Sequence, residues 1–542
     1  MHLHTTALAV ARYRPLATCI ATLLGLSSPA ALATNRPVTS CLDDNSTPGT
    51  LRDVIKNVAL SGDVVDLSAL SCPGSVITLQ TGGENIAVNQ NTLTIKGPGA
   101  GSLTIDGTLL NTYYKNYSNV FTHFGTDKLT IEALRVTGGH VSHKNIPGLG
   151  GCVYSTASVS IKSSILTSCS AYSQNYSAKG GAIYAKGDVD LTSSTISDSS
   201  ATGNSADGGG IAALGKVTLT LSSVTGNTLT SGGSGVRGGG IRAGGGVTLN
   251  RSVVSDNMET SSSSGAYGGG VSADGDVSLL YATIDGNDAD GNGFSQGAGG
   301  GIYASGNVTI ANSTISNNTS HRGAGVRMFS GAPGNKTLAM RNSTISGNFA
   351  NAGTGGLYTN AATVLLSNST VAFNSSGSGA TAAGIVLNAT LSPVLATLQS
   401  MLVSNNEYAG NDFDLSAVNS GSVTFNAGPA NNLIRSTTVG NLPGDTVFGT
   451  CPLLGPLRAN GGLTLTHALW STSIAIDNGN NVSLNPDTLQ PYVYDQRGSA
   501  AVNGALDYLR VSGPKADIGA YEVQKAEIVF GAGFESCVSI NI

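Results

Sequence analysis

Gly238-Gly239-Gly240-Ile241-Arg242-Ala243-Gly244-Gly245-Gly246-Val247-Thr248-Leu249-Asn250-Arg251-Ser252-Val253-Val254-Ser255-Asp256-Asn257 is most of one period of a pattern that fills the middle of this chain. An apolar residue after a glycine run recurs at Val153, Ile183, Ile211, Ile241, Val271, Ile302, Val326, Leu357 and Ile385. Val189, Val217, Val247, Val277 and Val308 form a second column, and Leu191, Leu219, Leu249, Leu279 and Ile310 a third. A further column runs Leu166, Ile196, Val224, Val254, Ile284, Ile315, Ile345, Val371 and Leu402. Three residues beyond it stand Asn227, Asn257, Asn287, Asn318, Asn348, Asn374 and Asn405, preceded in register by Cys169 and Ser199. Self-similarity at a fixed period marks a solenoid.

Composition decides between helix and strand. The units are rich in Gly, Ser, Thr, Val and Ile and nearly free of Glu, Lys and Gln, which disfavours helix and suits strand. Within the short runs every second residue is apolar, so one face points inward. The reading is an all-β parallel β-helix with three short strands per coil. About 12 coils at ~4.8 Å each give a rod of roughly 55–60 Å. An inward Asn column can bond its amides from coil to coil.

Residues 1–33 read as a secretory leader: Arg12 and Arg14, an apolar core from Leu16 to Leu26, and Ala31-Leu32-Ala33 as a small-residue cleavage site. The core is too short to span a bilayer. Leu16-Ala17-Thr18-Cys19 is a poor match to a lipoprotein box. Charged residues are 11% of the chain and the net charge is −5, which offers nothing to nucleic acid or to an anionic membrane. Of seven cysteines, Cys19 lies in the leader. An oxidising compartment suits disulfides among the rest, and proximity suggests Cys41–Cys72, Cys152–Cys169 and Cys451–Cys537.

Residues 34–140 form the amino-terminal cap and first coils. Thr50 can start a helix whose face carries Leu51, Val54, Ile55 and Val58, covering the open end of the solenoid. Repeats occupy 141–430, an irregular C-terminal cap 431–523 and a tail 524–542.

Cys41, Pro48-Gly49-Thr50-Leu51-Arg52-Asp53-Val54-Ile55, Gly62-Asp63-Val64-Val65-Asp66-Leu67 and Leu93-Thr94-Ile95-Lys96-Gly97-Pro98-Gly99 resemble the start of exported bacterial right-handed β-helix proteins of the polymorphic outer-membrane-protein-like or pectate-lyase-like type. Pro452-Leu453-Leu454-Gly455-Pro456-Leu457, Asn460-Gly461-Gly462-Leu463-Thr464-Leu465-Thr466-His467-Ala468-Leu469, Ile474-Ala475-Ile476-Asp477, Asp495-Gln496-Arg497-Gly498 and Asp517-Ile518-Gly519-Ala520-Tyr521-Glu522 resemble a choice-of-anchor Q module. The resemblance implies a right-handed coil and a secreted or surface protein. It does not imply an enzyme, since the class label describes fold. The residues after Glu522 are too few for a translocator barrel, so a complete autotransporter is not expected.

Three groups carry the functional candidates. His467, Asp477, Asp495, Arg497, Asp517 and Glu522 invite a catalytic reading, against which Asp495 or Asp517 paired with Arg497 would simply hold an irregular cap together. Asp256 and Asp285, in adjacent coils near one turn, are the candidate Ca²⁺ ligands; no other cofactor is expected, and aspartates also serve turns locally. The outward neighbours of the first apolar column include Tyr154, Tyr184, Arg242, Tyr303, Arg327 and Tyr358, whose rings and guanidinium groups could stack on a glycan. The preferred reading is a monomeric, non-catalytic surface scaffold or adhesin that binds polysaccharide or another cell-surface component. A secreted polysaccharide lyase or hydrolase is the alternative.

Overall fold

The computed structural model describes residues 33–524 apart from 45, 81–83, 112–117, 234, 263–264, 292–296, 330, 332–333 and 483–489. The predicted leader up to residue 32 and the tail from 525 lie outside the described residues. The chain is a parallel β-helix. One coil runs through strands Ile183–Ala185, Val189–Thr192, Thr195–Ser197, Ser200–Gly203 and Ser205–Asp207 before the next begins at Ile211. Stacked in parallel register, these make, among the described residues, a first sheet of 12 strands, a second and a third of 14, and two arm sheets of 11 and 5, the former ending in one antiparallel pair. The apolar columns are the core: Val153 lies on Ile183, then Ile211 and Ile241, all 0% exposed.

The two arm sheets replace the plain glycine-rich loop expected from the sequence. Small residues alternate there with Ser and Thr, and Ala171, Ala178, Ala201, Ala206, Leu229, Val236, Ala266 and Ala289 close a second, narrow core between them. Glu259 stacks on Leu229 in this core and is 0% exposed, and its carboxyl is pushed up to about 8 by burial. Each glycine of the run after the arm has its own reason. Gly208 turns the chain at φ +66°, a Cβ on Gly209 would lie 2.2 Å from the Gly239 carbonyl, and one on Gly210 would lie 3.0 Å from Asn227 Cγ.

That last contact is with the asparagine ladder. Each side chain from Asn227 to Asn374 donates its amide to the next coil's Oδ1 at 2.8–2.9 Å, and the same Oδ1 accepts a backbone N–H of the coil before. Ser199 and Cys169 precede the ladder as expected, Cys169 N–H donating to Ser199 Oγ and Ser199 N–H to Asn227 Oδ1. The final rung is Asn406 and not Asn405. Val403, not Leu402, lies on Val371, so counting three residues on reaches Asn406. Asn405 turns outward at φ +58° and accepts from Arg435. Asn406 then donates to Asp414 Oδ1 at 2.8 Å, where the ladder ends. A serine ladder runs beside it, from Leu134 N–H through Ser164, Ser194 and Ser222 to Ser252.

At the amino end Thr50 Oγ1 accepts from Asp53 N–H, and Leu51, Val54 and Ile55 are buried as expected. Val58 is 41% exposed, because Leu51–Asp53 continues into a π-helix over Val54–Val58 whose wider turn swings it off the face. Cys41–Cys72 and Cys152–Cys169 are disulfides. Cys537, the partner expected for Cys451, lies outside the described residues.

The segment after residue 449 folds back along the flank of the third sheet. Thr314, Thr344 and Thr370 on that flank are buried, whereas their equivalents Thr195, Ser223 and Val253 are partly or fully exposed. Polar pairs make the junction: Thr314 Oγ1 donates to the Leu465 carbonyl at 2.7 Å, Thr344 Oγ1 to Gln496 Oε1 at 2.6 Å, and Ala520 N–H to Thr370 Oγ1 at 3.0 Å.

Candidate functional site

In a strand whose even positions face the core, the odd ones face out. On the first sheet the outward column reads Tyr154, Tyr184, Ala212, Arg242, Ser272, Tyr303, Arg327, Tyr358 and Val386, each in register with the next. The structure thus brings the six expected residues into one line. A second row runs parallel to it on the inner arm: Lys179, Asp207, Arg237, Tyr267, Ala298 and Arg322. The glycine turn draws the two rows together. At Gly238, φ +77°, the backbone bends so sharply that a Cβ would lie 2.2 Å from the Ile241 carbonyl.

The rows meet as two walls of a trough. Arg242 on one wall pairs with Asp207 on the other at 4.0 Å and with Asp274 at 2.5 Å. Tyr267 meets Tyr303 edge-on, ring centroids 5.1 Å apart. Tyr154 and Tyr184 stack at 5.9 Å, and Tyr184 is buried, so it does not present the open ring expected of it. Arg327 lies 4.6 Å over the Tyr358 ring and 5.3 Å over Phe329. Burial lowers the Arg327 guanidinium and raises the Tyr303 phenol, on whose hydroxyl the charges of Arg327 and Arg237 both act. Aromatic faces beside guanidinium groups suit the apolar faces and the hydroxyls of sugars. The inner-arm row went unread in the sequence, although each member stands four residues before the first apolar column: Lys179 before Ile183, Arg237 before Ile241, Arg322 before Val326.

Asp256 and Asp285 do lie in adjacent coils, but in different columns. Asp285 shares a row with Ser255 and Ser316 and accepts from Ser316 Oγ at 2.6 Å and Asn317 Nδ2 at 2.9 Å. Asp256 sits in the turn at φ +55°. Among the described residues no group of three or more His, Cys, Asp or Glu side chains is placed to hold a metal ion.

The candidate ionisable residues of the C-terminal segment are engaged by their surroundings. Arg497 and Asp495 form a 2.8 Å ion pair with both side chains 0% exposed, and the guanidinium is sandwiched between Tyr508 and Tyr521 at 3.9 and 4.0 Å. Asp517 accepts from the N–H groups of Asp477 and Val523, and Glu522 from those of Ser512 and Asp517. His467 bridges Ser346 Oγ at 2.8 Å and the Gly455 carbonyl at 2.7 Å, pinning the segment to the flank. This arrangement braces backbone; of the two pairings expected for Arg497, the one with Asp495 forms.

These buried groups fix the pH dependence. Burial raises Glu259 and Glu522 to about 8, Asp414 to about 7 and Asp517 to about 6. Each folded pKa exceeds the unfolded value, so the folded chain binds the extra protons and loses their stabilisation as pH rises through the folded values. Burial lowers His467 to about 4 and also lowers His123, His140, His143 and His321, contributions of opposite sign that are lost as pH falls below the unfolded imidazole value. Above about pH 7 the imidazoles are neutral in both states, so the thermal midpoint should fall between about pH 7 and about pH 9 as Glu259 and Glu522 lose their protons. A midpoint that rises with pH across that range would contradict this assignment.

Among the described residues no helix is long and apolar enough to cross a membrane. No family model matches the chain, and no curated protein matches it.

Proposed function

We propose that this protein is a secreted or surface-displayed scaffold that binds glycan in the trough between the first sheet and the inner arm, without cleaving it. The observation that carries this reading is the convergence of Tyr154, Tyr267, Tyr303 and Tyr358 with several arginines on one face along the rod axis. A linear polymer laid along that axis meets a fresh pair of side chains every ~4.8 Å. Two disulfides support an oxidising, extracytoplasmic setting. The motifs resembling exported β-helix proteins at both ends of the repeats point the same way.

The test is retention of the purified protein on a broad panel of immobilised glycans, with reducing ends measured in parallel. The wild-type chain should be retained on at least one glycan with no new reducing ends. Tyr303→Ser combined with Tyr358→Ser should weaken that retention at least about tenfold, the loss of two stacked rings. Unchanged retention in the double variant would remove the trough as the site, and release of fragments would make the protein an enzyme.

A further inference from the structure

The trough is not uniform along its length. Arg242 is neutralised by Asp207 and Asp274. Farther along, Arg237, Arg322 and Arg327 have no carboxylate partner among the described residues. Arg237 and Arg322 are exposed, and both belong to the inner-arm row, three coil steps apart through Tyr267 and Ala298. Arg327 stands across from Arg322 on the first sheet, one strand beyond Tyr303. The edge-on pair Tyr267–Tyr303 fills the space between the two cationic ends. Three arginines without an ion-pair partner surround one aromatic pair that the Asp274 carboxylate also reaches, a local excess of charge opposite in sign to the chain's net charge of −5.

Guanidinium groups that lack a carboxylate partner and flank half-buried rings have a defined complement. From this we infer that the stretch from Arg237 to Arg327 binds an acidic saccharide. One anionic substituent sits on Arg237, another on Arg322 and Arg327, and a sugar face lies on the Tyr267–Tyr303 pair. The two anion positions are about 14 Å apart along the axis, three steps of ~4.8 Å. The forked donors of arginine suit carboxylate and sulfate alike, and stacking supplies the contact that charge alone lacks. This inference rests on the glycan-binding reading and adds the charge class of the ligand and where its charges sit.

Carboxymethylated, sulfated and neutral forms of cellulose and of dextran separate the cases, because each backbone is then offered with and without charge. Binding of the purified protein should be at least tenfold tighter to a charged form than to its neutral parent, and should weaken as salt is raised. The carboxymethyl and sulfate arms show which anion is preferred. Arg237→Gln with Arg322→Gln, both exposed positions at which the fold is not at stake, should abolish that preference. Arg458→Gln, an exposed arginine on the C-terminal segment, should leave it intact. Equal binding of charged and neutral forms, insensitive to the arginine pair but lost in Tyr303→Ser, would overturn the inference and leave the glycan reading standing. Equal loss in Arg458→Gln would reduce the effect to diffuse attraction and also overturn it. No retention on any of these polymers, nor on the broader panel, would remove both.

Discussion

Asn318→Ala should lower the stability of the rod by roughly 3–5 kcal/mol, among the largest effects of any single substitution in it. Asn318 is 0% exposed and sits mid-ladder. Its Oδ1 accepts from Asn287 N–H at 3.0 Å and Asn287 Nδ2 at 2.9 Å, and its own amide donates to Asn348 Oδ1 at 2.9 Å and the Ile284 carbonyl at 3.0 Å. Alanine leaves the Asn287 N–H buried with no partner and opens a void against Gly301, whose Cβ position lies 3.0 Å from the lost amide. Burying an unsatisfied backbone donor costs more than the net worth of the bond removed. The comparison is Asn405→Gly. That change deletes an asparagine outside the ladder and suits φ +58°, so it should cost less than about 1 kcal/mol. Chemical denaturation of both variants checks the pair. Equal losses would mean that the ladder is not what distinguishes these asparagines.

The second large effect is expected at Arg497. Arg497→Met removes the cation that is ion-paired with a carboxylate 0% exposed, and breaking a buried pair from one side costs about 3–5 kcal/mol. Asp495 keeps the N–H groups of Arg497 and Glu522 as donors, so the charge is left only partly compensated. The loss should appear locally. Asp495, Gln496 and Arg497 lie at the join between the returning segment and the flank, where Asn312 Nδ2 donates to the carbonyls of Asp495 and Gln496 at 3.1 and 3.2 Å. Limited proteolysis should therefore cut within 449–523 in Arg497→Met while the repeats stay intact. Adding Asp495→Leu should restore much of the resistance by removing the stranded charge. A variant as resistant as the wild type would show that the pair does not hold the segment.

Much of the coil was legible because its pattern is local and repeated. A valine two residues before a leucine, recurring once per coil, fixes which face is buried, and stacking carries that choice unchanged along the rod. The reading slipped where the pattern lost contrast. Met401-Leu402-Val403 offers three consecutive apolar residues, and the pairing of Val371 with Val403 could not be chosen by period alone. Leu402 is instead buried against the returning segment, in a cluster with Leu433, Leu454 and Ile518. That segment's docking surface was invisible for a related reason. It is built from Thr and Ser side chains whose exposure looks identical in sequence whether or not another part of the chain lies over them. The aromatic column of the trough could be read once strand direction was assumed. Its facing row could not, because it required knowing that the glycine-rich connection is itself a stacked pair of strands.

The ladder has a direction, and direction imposes an order of construction. Every rung hands its hydrogen forward, so a half-built rod ends on a dangling amide and a matching backbone N–H that only the following coil can accept. Such an end behaves like the growing tip of a one-dimensional crystal: it recruits its successor and cannot rest without it. Asp414 takes both the side-chain and the backbone hydrogen of Asn406 and offers none forward from its carboxylate. Growth begun at the Cys152–Cys169 crosslink thus has a chemical terminator, and the tip is sealed at that carboxylate. A chain released before that residue is made would carry an open tip of unpaired donors, and should be the species that aggregates.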